Sequence, residues 1–173
     1  HLGHSLAASS SEKAAEISPG AHVTSAAQDE EVTQVLEARS QEMGATLEWV
    51  EPLTAEWELG LAGQLQRRNG AVACAALRRM NTLGSSITEE HIKLGLAQAR
   101  WPGRLQTLHW NNQSVLVDGA HNPDAAQQLA LERCNWSEPG HPQIWLLGIQ
   151  GHKQAPEMLK ILLKPNDEAW IVP

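Results

Sequence analysis

The chain has 173 residues, 42% hydrophobic and 19% charged, which suffices for one domain of ordinary size or parts of two and for a buried core. Its net charge of −7, with no Lys/Arg-rich stripe, argues against a nucleic-acid or anionic-membrane surface and favours small-molecule chemistry. No apolar run approaches the roughly 18 to 20 residues that span a bilayer, so a soluble protein is expected.

The first residues, "HLGHSLAASSSEKAAEISPG", lack an initiator Met and the charged-then-apolar pattern of a signal peptide, so a piece cut from a longer protein is expected. Ala, Ser, Glu and Lys over residues 6–16 predict a helix, which Ser18-Pro19-Gly20 stops. "AHVTSA" then reads as a strand, residues 29–43 as a helix on the spacing of Val32, Val35, Leu36 and Met43, and "TLEWV" as a second strand. Together they predict a β-α-β unit. Residues 62–83 predict a long helix with small residues on one side, weakened at Gly70 by about 1 kcal/mol relative to Ala. Ser86 with Glu89 three residues on has capping-box spacing and predicts a helix to about Ala99. "RWPGR" breaks the pattern, and a domain boundary is expected close to Trp101.

Beyond it, "SVLVD", "QIWLLG" and "EAWIV" predict strands, and residues 123–133 and 154–163 predict helices between them. These strands are continuous apolar runs, as expected where helices cover both faces of a parallel sheet. The expected fold is therefore α/β, with the start of a doubly wound, mainly parallel domain in the second half. Cys74 and Cys134 stand alone in helix-like patterns, without CxxC or His partners, and are expected to be buried, reduced thiols in a cytoplasmic protein.

Ligands of open parallel sheets bind beyond the carboxyl ends of the strands. Three positions qualify: "DGAHN" after Val117, "GIQGHK" after Leu147, and whatever follows Val172. The first is the richest. Asn122 suits a helix N-cap, Pro123 the first helical position, and Asp124 the positive helix end. Those three need no function, and Asp118 with His121, taken alone, reads more readily as a turn than as a site. Gly119 and Ala120 would let an anion approach the free N–H groups of the helix start, and Arg104 in "WPGRLQ" could grip a phosphate or carboxylate, or be a solvated charge.

"WPGRLQ" followed by "VLVDGAHNPDAAQQL" resembles the opening of the carboxyl-terminal domain of folylpolyglutamate and dihydrofolate synthases, relatives of the Mur ligases. "LAGQLQRRNGAVACAAL" is similar to the family's Leu-x-Gly-x-x-Gln-x-x-Asn helix, "LLGIQGHKQAPEMLKILL" to its next strand-loop-helix, and Leu2-Gly3 with "SEKAAEISPG" to the segment of its carbamylated lysine. The resemblance implies the end of a Mur-ligase-like central ATPase domain over residues 1–99. It implies the start of a Rossmann-like carboxyl-terminal glutamate ligase domain over residues 100–173.

What it implies for function is ATP-dependent addition of L-glutamate to dihydropteroate or folate through an acyl phosphate, with ATP and Mg²⁺ as cofactors. The implied site is Lys13, carbamylated, as a Mg²⁺ ligand; Asn69 near adenine; Arg104 and Asp118 holding ATP; and His121, in the catalytic role, where glutamate meets the acyl phosphate. A monomer acting on small molecules, with no nucleic-acid or membrane partner, is expected. Ala15 and Glu16 depart from the family's Gly and apolar residue, and His1 and His4 are out of register for its metal-binding histidine. No GxxxxGK[ST] occurs, so the phosphate-cradling loop is expected outside this chain and the isolated chain is expected to be inactive. Another Mur-superfamily ligase and a non-catalytic degenerate fragment are the alternatives.

Overall fold

A computed structural model describes residues 6–138, 140–150 and 154–172. Leu2 and Gly3, His1 and His4, and the Gly-His-Lys of residues 151–153 lie outside the described residues. The chain divides into two compact units, residues 1–60 with 66–99, and residues 61–65 with 100–173.

In the first unit α1 (Leu6–Ala14) and α2 (Glu30–Glu42) pack together. They bury Ser10, Ala14 and Ser40. Helix α1 ends at Ala14, two residues short of the expected Glu16, and in the turn that follows Gly20 takes a φ of +68° that an L side chain resists. β1 (His22–Ala26) and β2 (Thr46–Val50), joined through α2, pair in parallel from His22 opposite Thr46 to Ala26 opposite Val50. α3 (Gln64–Thr82), whose first residues are counted with the second unit, buries Gly70, Ala71, Cys74 and Ala75, a stripe at helical spacing. Gly70 lets Leu53 pack close to the helix: a Cβ there would lie 2.8 Å from Leu53 Cδ1, and that side chain would have to shift. Arg67 donates to the carbonyls of Leu53, Thr54 and Trp57, which fixes the loop that crosses this stripe.

α4 (Glu89–Gln98) is capped differently from the sequence expectation. The cap is Thr88, not Ser86: Thr88 Oγ1 accepts from His91 N at 3.1 Å, and Thr88 N donates to His91 Nδ1 at 3.3 Å. Glu89 is the first helical residue and turns instead to Arg78, with contacts of 2.6 and 2.7 Å that hold its carboxyl below and the guanidinium above their usual ranges. Thr88→Ala is expected to lower stability by about 1 kcal/mol, and Ser86→Ala by much less, in urea unfolding followed by circular dichroism.

The second unit opens with an antiparallel hairpin, β3 (Gln106–Trp110) and β4 (Gln113–Val117), turned at Asn111 and Asn112 with φ of +46° and +61°. The expectation of β4 as a strand of a parallel sheet is corrected: among the described residues it pairs with β3 alone, because two Asn in left-handed backbone close a two-residue turn. α5 (Pro123–Glu132) follows, then a 3₁₀ turn (Arg133–Asn135), β5 (Ile144–Gly148), α6 (Ala155–Leu162) and β6 (Glu168–Val172). β5 and β6 are parallel, in register from Ile144 opposite Glu168. Ala126, Met158 and Leu162 form a buried core, with Leu129, Trp145, Leu147 and Ile161 packed against it.

Helices do not cover both faces of this strand pair as the apolar runs led one to expect. Trp145 and Leu147 point to the helices, whereas Ile144 and Leu146 are 77% and 73% exposed and β6 is exposed along its length. The two faces are distinguished by the period-2 geometry of the strand, with α5 and α6 supplying apolar partners to one side only. Cys74 is buried as expected, but Cys134 is exposed, because the 3₁₀ turn rotates it off the packed face of α5.

Candidate functional site

The three sequence-predicted residues of the second unit come together where β4 runs into α5. Asn122 caps α5, its Oδ1 accepting from Ala125 N at 2.8 Å, and Pro123 and Asp124 occupy the first turn. The helix start thus presents N–H groups and a positive dipole end, suited to an anion. His121 is exposed, with Nδ1 3.0 Å from the Gly119 carbonyl, which orients the ring on its own loop.

Asp118 is tied on both sides. Its Oδ2 accepts from Leu105 N at 2.9 Å and its Oδ1 from Ala120 N at 2.8 Å. A further bond from Gly119 N to the Gly103 carbonyl, 2.7 Å, lashes the "PGRL" loop to the "DGA" loop. Gly119 suits this seam because a Cβ there would lie 3.3 Å from the Gly103 oxygen. Arg104 sits in the lashed loop between Gly103 at φ +74° and Leu105 at φ +43°. It is half-buried, and no hydrogen bond or ion pair is found for its guanidinium among the described residues. A guanidinium without a protein partner, in a loop pinned on both sides beside a helix start, is prepared to meet a phosphate or carboxylate.

Lys13 and Asn69 belong to the first unit and to different helices. Lys13 is exposed in the last turn of α1. Asn69 is exposed on α3, where its Nδ2 donates to Gln66 Oε1 at 3.2 Å. Among the described residues no group of three or more His, Cys, Asp or Glu could hold a metal ion. An open groove of the first unit is lined by His22, Leu47, Glu48, Cys74 and Arg78 among others, and by none of the sequence-predicted residues. Burial pushes the Cys74 thiol up, so it offers no ready nucleophile.

Sequence reasoning did not single out Leu105 and Gly103, whose backbone ties this loop to Asp118 and Gly119. The Pro-Gly before Arg104 signalled a turn, but nothing about a leucine signals left-handed backbone.

Residues 103–173 match the sequence profile of the dihydrofolate synthetase C-terminal domain family. The chain is 29% identical to the dihydrofolate synthetase of Saccharomyces cerevisiae over 191 aligned residues, covering 96% of this chain and 44% of that protein. It is 37% identical over 90 residues to a probable bifunctional folylpolyglutamate synthase/dihydropteroate synthase of Haloferax volcanii, covering 52% of this chain and 10% of that one. The fold matches the folylpolyglutamate synthase of Mycobacterium tuberculosis complexed with ADP at a TM-score of 0.80 and 23% identity, over 99% of this chain and 43% of that one. The chain thus spans less than half the length of these relatives.

Proposed function

We propose, for a chain homologous to the folylpolyglutamate and dihydrofolate synthases, that it forms part of an ATP-dependent ligase joining L-glutamate to dihydropteroate or folate. The observation that carries this reading is the half-buried Arg104 without a protein partner, in the loop lashed to the start of α5. In this reading residues 1–99 belong to a central ATP-binding domain and residues 100–173 to the glutamate ligase domain.

The reaction makes an amide from a carboxylate and an amine, and ATP supplies the driving force by activating the carboxylate as an acyl phosphate. The protein's own contribution is charge neutralisation and placement. Arg104 opposes the charge of the phosphates, and the α5 N-terminus offers N–H groups to an anionic oxygen. Asp118 holds the two loops together and keeps a lone pair on each oxygen for a ligand hydroxyl or N–H. His121, exposed on the same loop, is placed to line the position where the glutamate amine displaces phosphate. Asn69 would contact the adenine. Lys13, once carbamylated, would offer oxygen to Mg²⁺, but the described residues do not gather a ligand set around it.

Titration of ADP into the full polypeptide that contains this chain tests the core of the reading. Arg104→Ala and Asp118→Ala should each weaken binding at least about tenfold, or about 1.4 kcal/mol. Unchanged affinity in both variants would remove the nucleotide from this loop. Amide formation from L-glutamate, by the full polypeptide that contains this chain, should require ATP and either dihydropteroate or folate, which separates the folate reading from a ligase acting on another acceptor.

A further inference from the structure

Leu105 is held in a conformation that its side chain does not favour. A φ of +43° is uncommon for any residue but Gly, Asn or Asp, and costs an L-residue roughly 1 to 2 kcal/mol. Two features of the second unit over-determine it. The Leu105 N–H is taken by Asp118 at 2.9 Å, and the side chain rests against Gly63, where an added Cβ would lie 2.6 Å from Leu105 Cδ1. Gly63 has a φ of +101°, so this seat calls for glycine by shape and by backbone.

Behind the seat stands Glu132, buried on the last turn of α5. Its carboxylate receives the Gln64 N–H and, at 2.6 Å, Asn135 Nδ2. The added Cβ on Gly63 would also lie 3.4 Å from Glu132 Oε1. Segment 61–65 therefore meets both Leu105 and Glu132 at Gly63, and Glu132 also holds it through the Gln64 N–H. On the far side of Arg104, Gly103 N donates to Gln106 Oε1 at 3.0 Å and the Gly103 carbonyl accepts from Gly119.

We propose that Leu105 is a positioning residue for Arg104, and that Gly63, backed by Glu132, is the seat that keeps it in place. The seat fixes the leucine, the leucine fixes the left-handed backbone, and that backbone sets where the guanidinium is presented. Pre-organising a long cation in this way removes ordering cost when an anion binds. The proposal rests on the reading of Arg104 as a nucleotide-binding residue.

The test is ADP titration with parallel unfolding measurements on Leu105→Ala, Leu105→Gly and Gly63→Ala. Leu105→Ala and Leu105→Gly should weaken ADP binding about tenfold, and neither should weaken it further when added to Arg104→Ala. Loss of stability with unchanged ADP affinity, or full additivity with Arg104→Ala, would overturn the proposal. Should Gly63→Ala fail to fold, the leucine variants still decide the matter. If the unmutated full polypeptide that contains this chain binds no ADP, the nucleotide reading fails, and amide hydrogen exchange judges the positioning. Faster exchange at Leu105 and Gly119 in Leu105→Ala, with the core amides of α5 unchanged, supports it; unchanged exchange there refutes it.

Discussion

Asp167→Ala is expected to lower the stability of the second unit by about 3 kcal/mol, the lower end of the range for breaking a buried ion pair by removing one partner. The Asp167 side chain is 0% exposed and that of Arg133 15% exposed. The carboxylate accepts from Arg133 Nη1 and Nη2 at 2.6 and 2.7 Å, from Gln143 N at 2.8 Å, from Lys164 N at 2.9 Å and from Trp145 Nε1 at 3.0 Å. Its removal strands these donors and leaves the guanidinium half-buried with only the His141 carbonyl, at 3.1 Å. Asp167→Asn should cost a similar amount, since its NH₂ would face donors.

Acid provides a second arm of the same measurement. The Arg133 guanidinium foremost, then the backbone N–H groups of Lys164 and Gln143 and the Trp145 indole, hold the Asp167 carboxyl well below the usual carboxylate range against the opposing effect of burial. A carboxyl depressed in the folded chain binds its proton first in the unfolded one, so stability rises with pH there. The contribution is complete above the ordinary carboxylate pKa of about 3.9 and is lost as pH falls below about 4. The gap between the unmutated chain and Asp167→Ala should therefore be widest near neutrality and narrow by pH 2 to 3. Urea midpoints at each pH measure it; a constant gap would show that ionisation of Asp167 contributes nothing.

The same network shows which parts of the structure could be read from sequence. The β1-α2-β2 unit was legible because Pro19-Gly20 precedes it, Gly44 separates α2 from β2, and its apolar residues have one period per element. The start of α5 was legible because Asn122, Pro123 and Asp124 are local signals that act within one turn. What was not legible depends on partners distant in the chain. Glu132 in "LALERC" reads as a surface glutamate, yet it is 7% exposed because it accepts the N–H of Gln64. Thr88 rather than Ser86 caps α4 because Asn81, six residues before Ile87, binds both the N–H and the carbonyl of that residue and sets the approach of the chain. The pairing of Asp118 with Leu105 was hidden for the same reason. Sequence placed a carboxylate and an arginine near one loop; it did not show that the carboxylate's oxygens hold backbone while the guanidinium stays unpaired. The candidate residues were thus nameable from resemblance, whereas the part Asp118 plays in holding the loop, and the absence among the described residues of a protein partner for Arg104, required coordinates.

Met158→Ala is the other substitution expected to have a large effect, about 2 to 5 kcal/mol. Met158 is 0% exposed at the centre of the α5, α6 and β5 packing, and the residue facing it from α5 is Ala126, also 0% exposed. An alanine cannot grow into the space a methionine leaves, and Trp145 is anchored through its indole N–H to Asp167. The cavity is therefore expected to collapse little, which places the cost in the upper half of that range. Leu146, next to Trp145 on the opposite face of β5, is 73% exposed, and Leu146→Ala should stay within about 0.5 kcal/mol. Unfolding in urea reads both, and a loss below about 1 kcal/mol for Met158→Ala would mean that the helices are not seated on this residue. The consequence reaches the site. α5 carries the Asn122 cap at its start and Glu132 at its end, so its seating on Met158 supports both the capped helix start and the Leu105 seat. Met158→Ala should accordingly speed amide exchange at Ala125 and Gln64 together, whereas loss of the cap alone, in Asn122→Ala, should affect Ala125 and leave Gln64 protected.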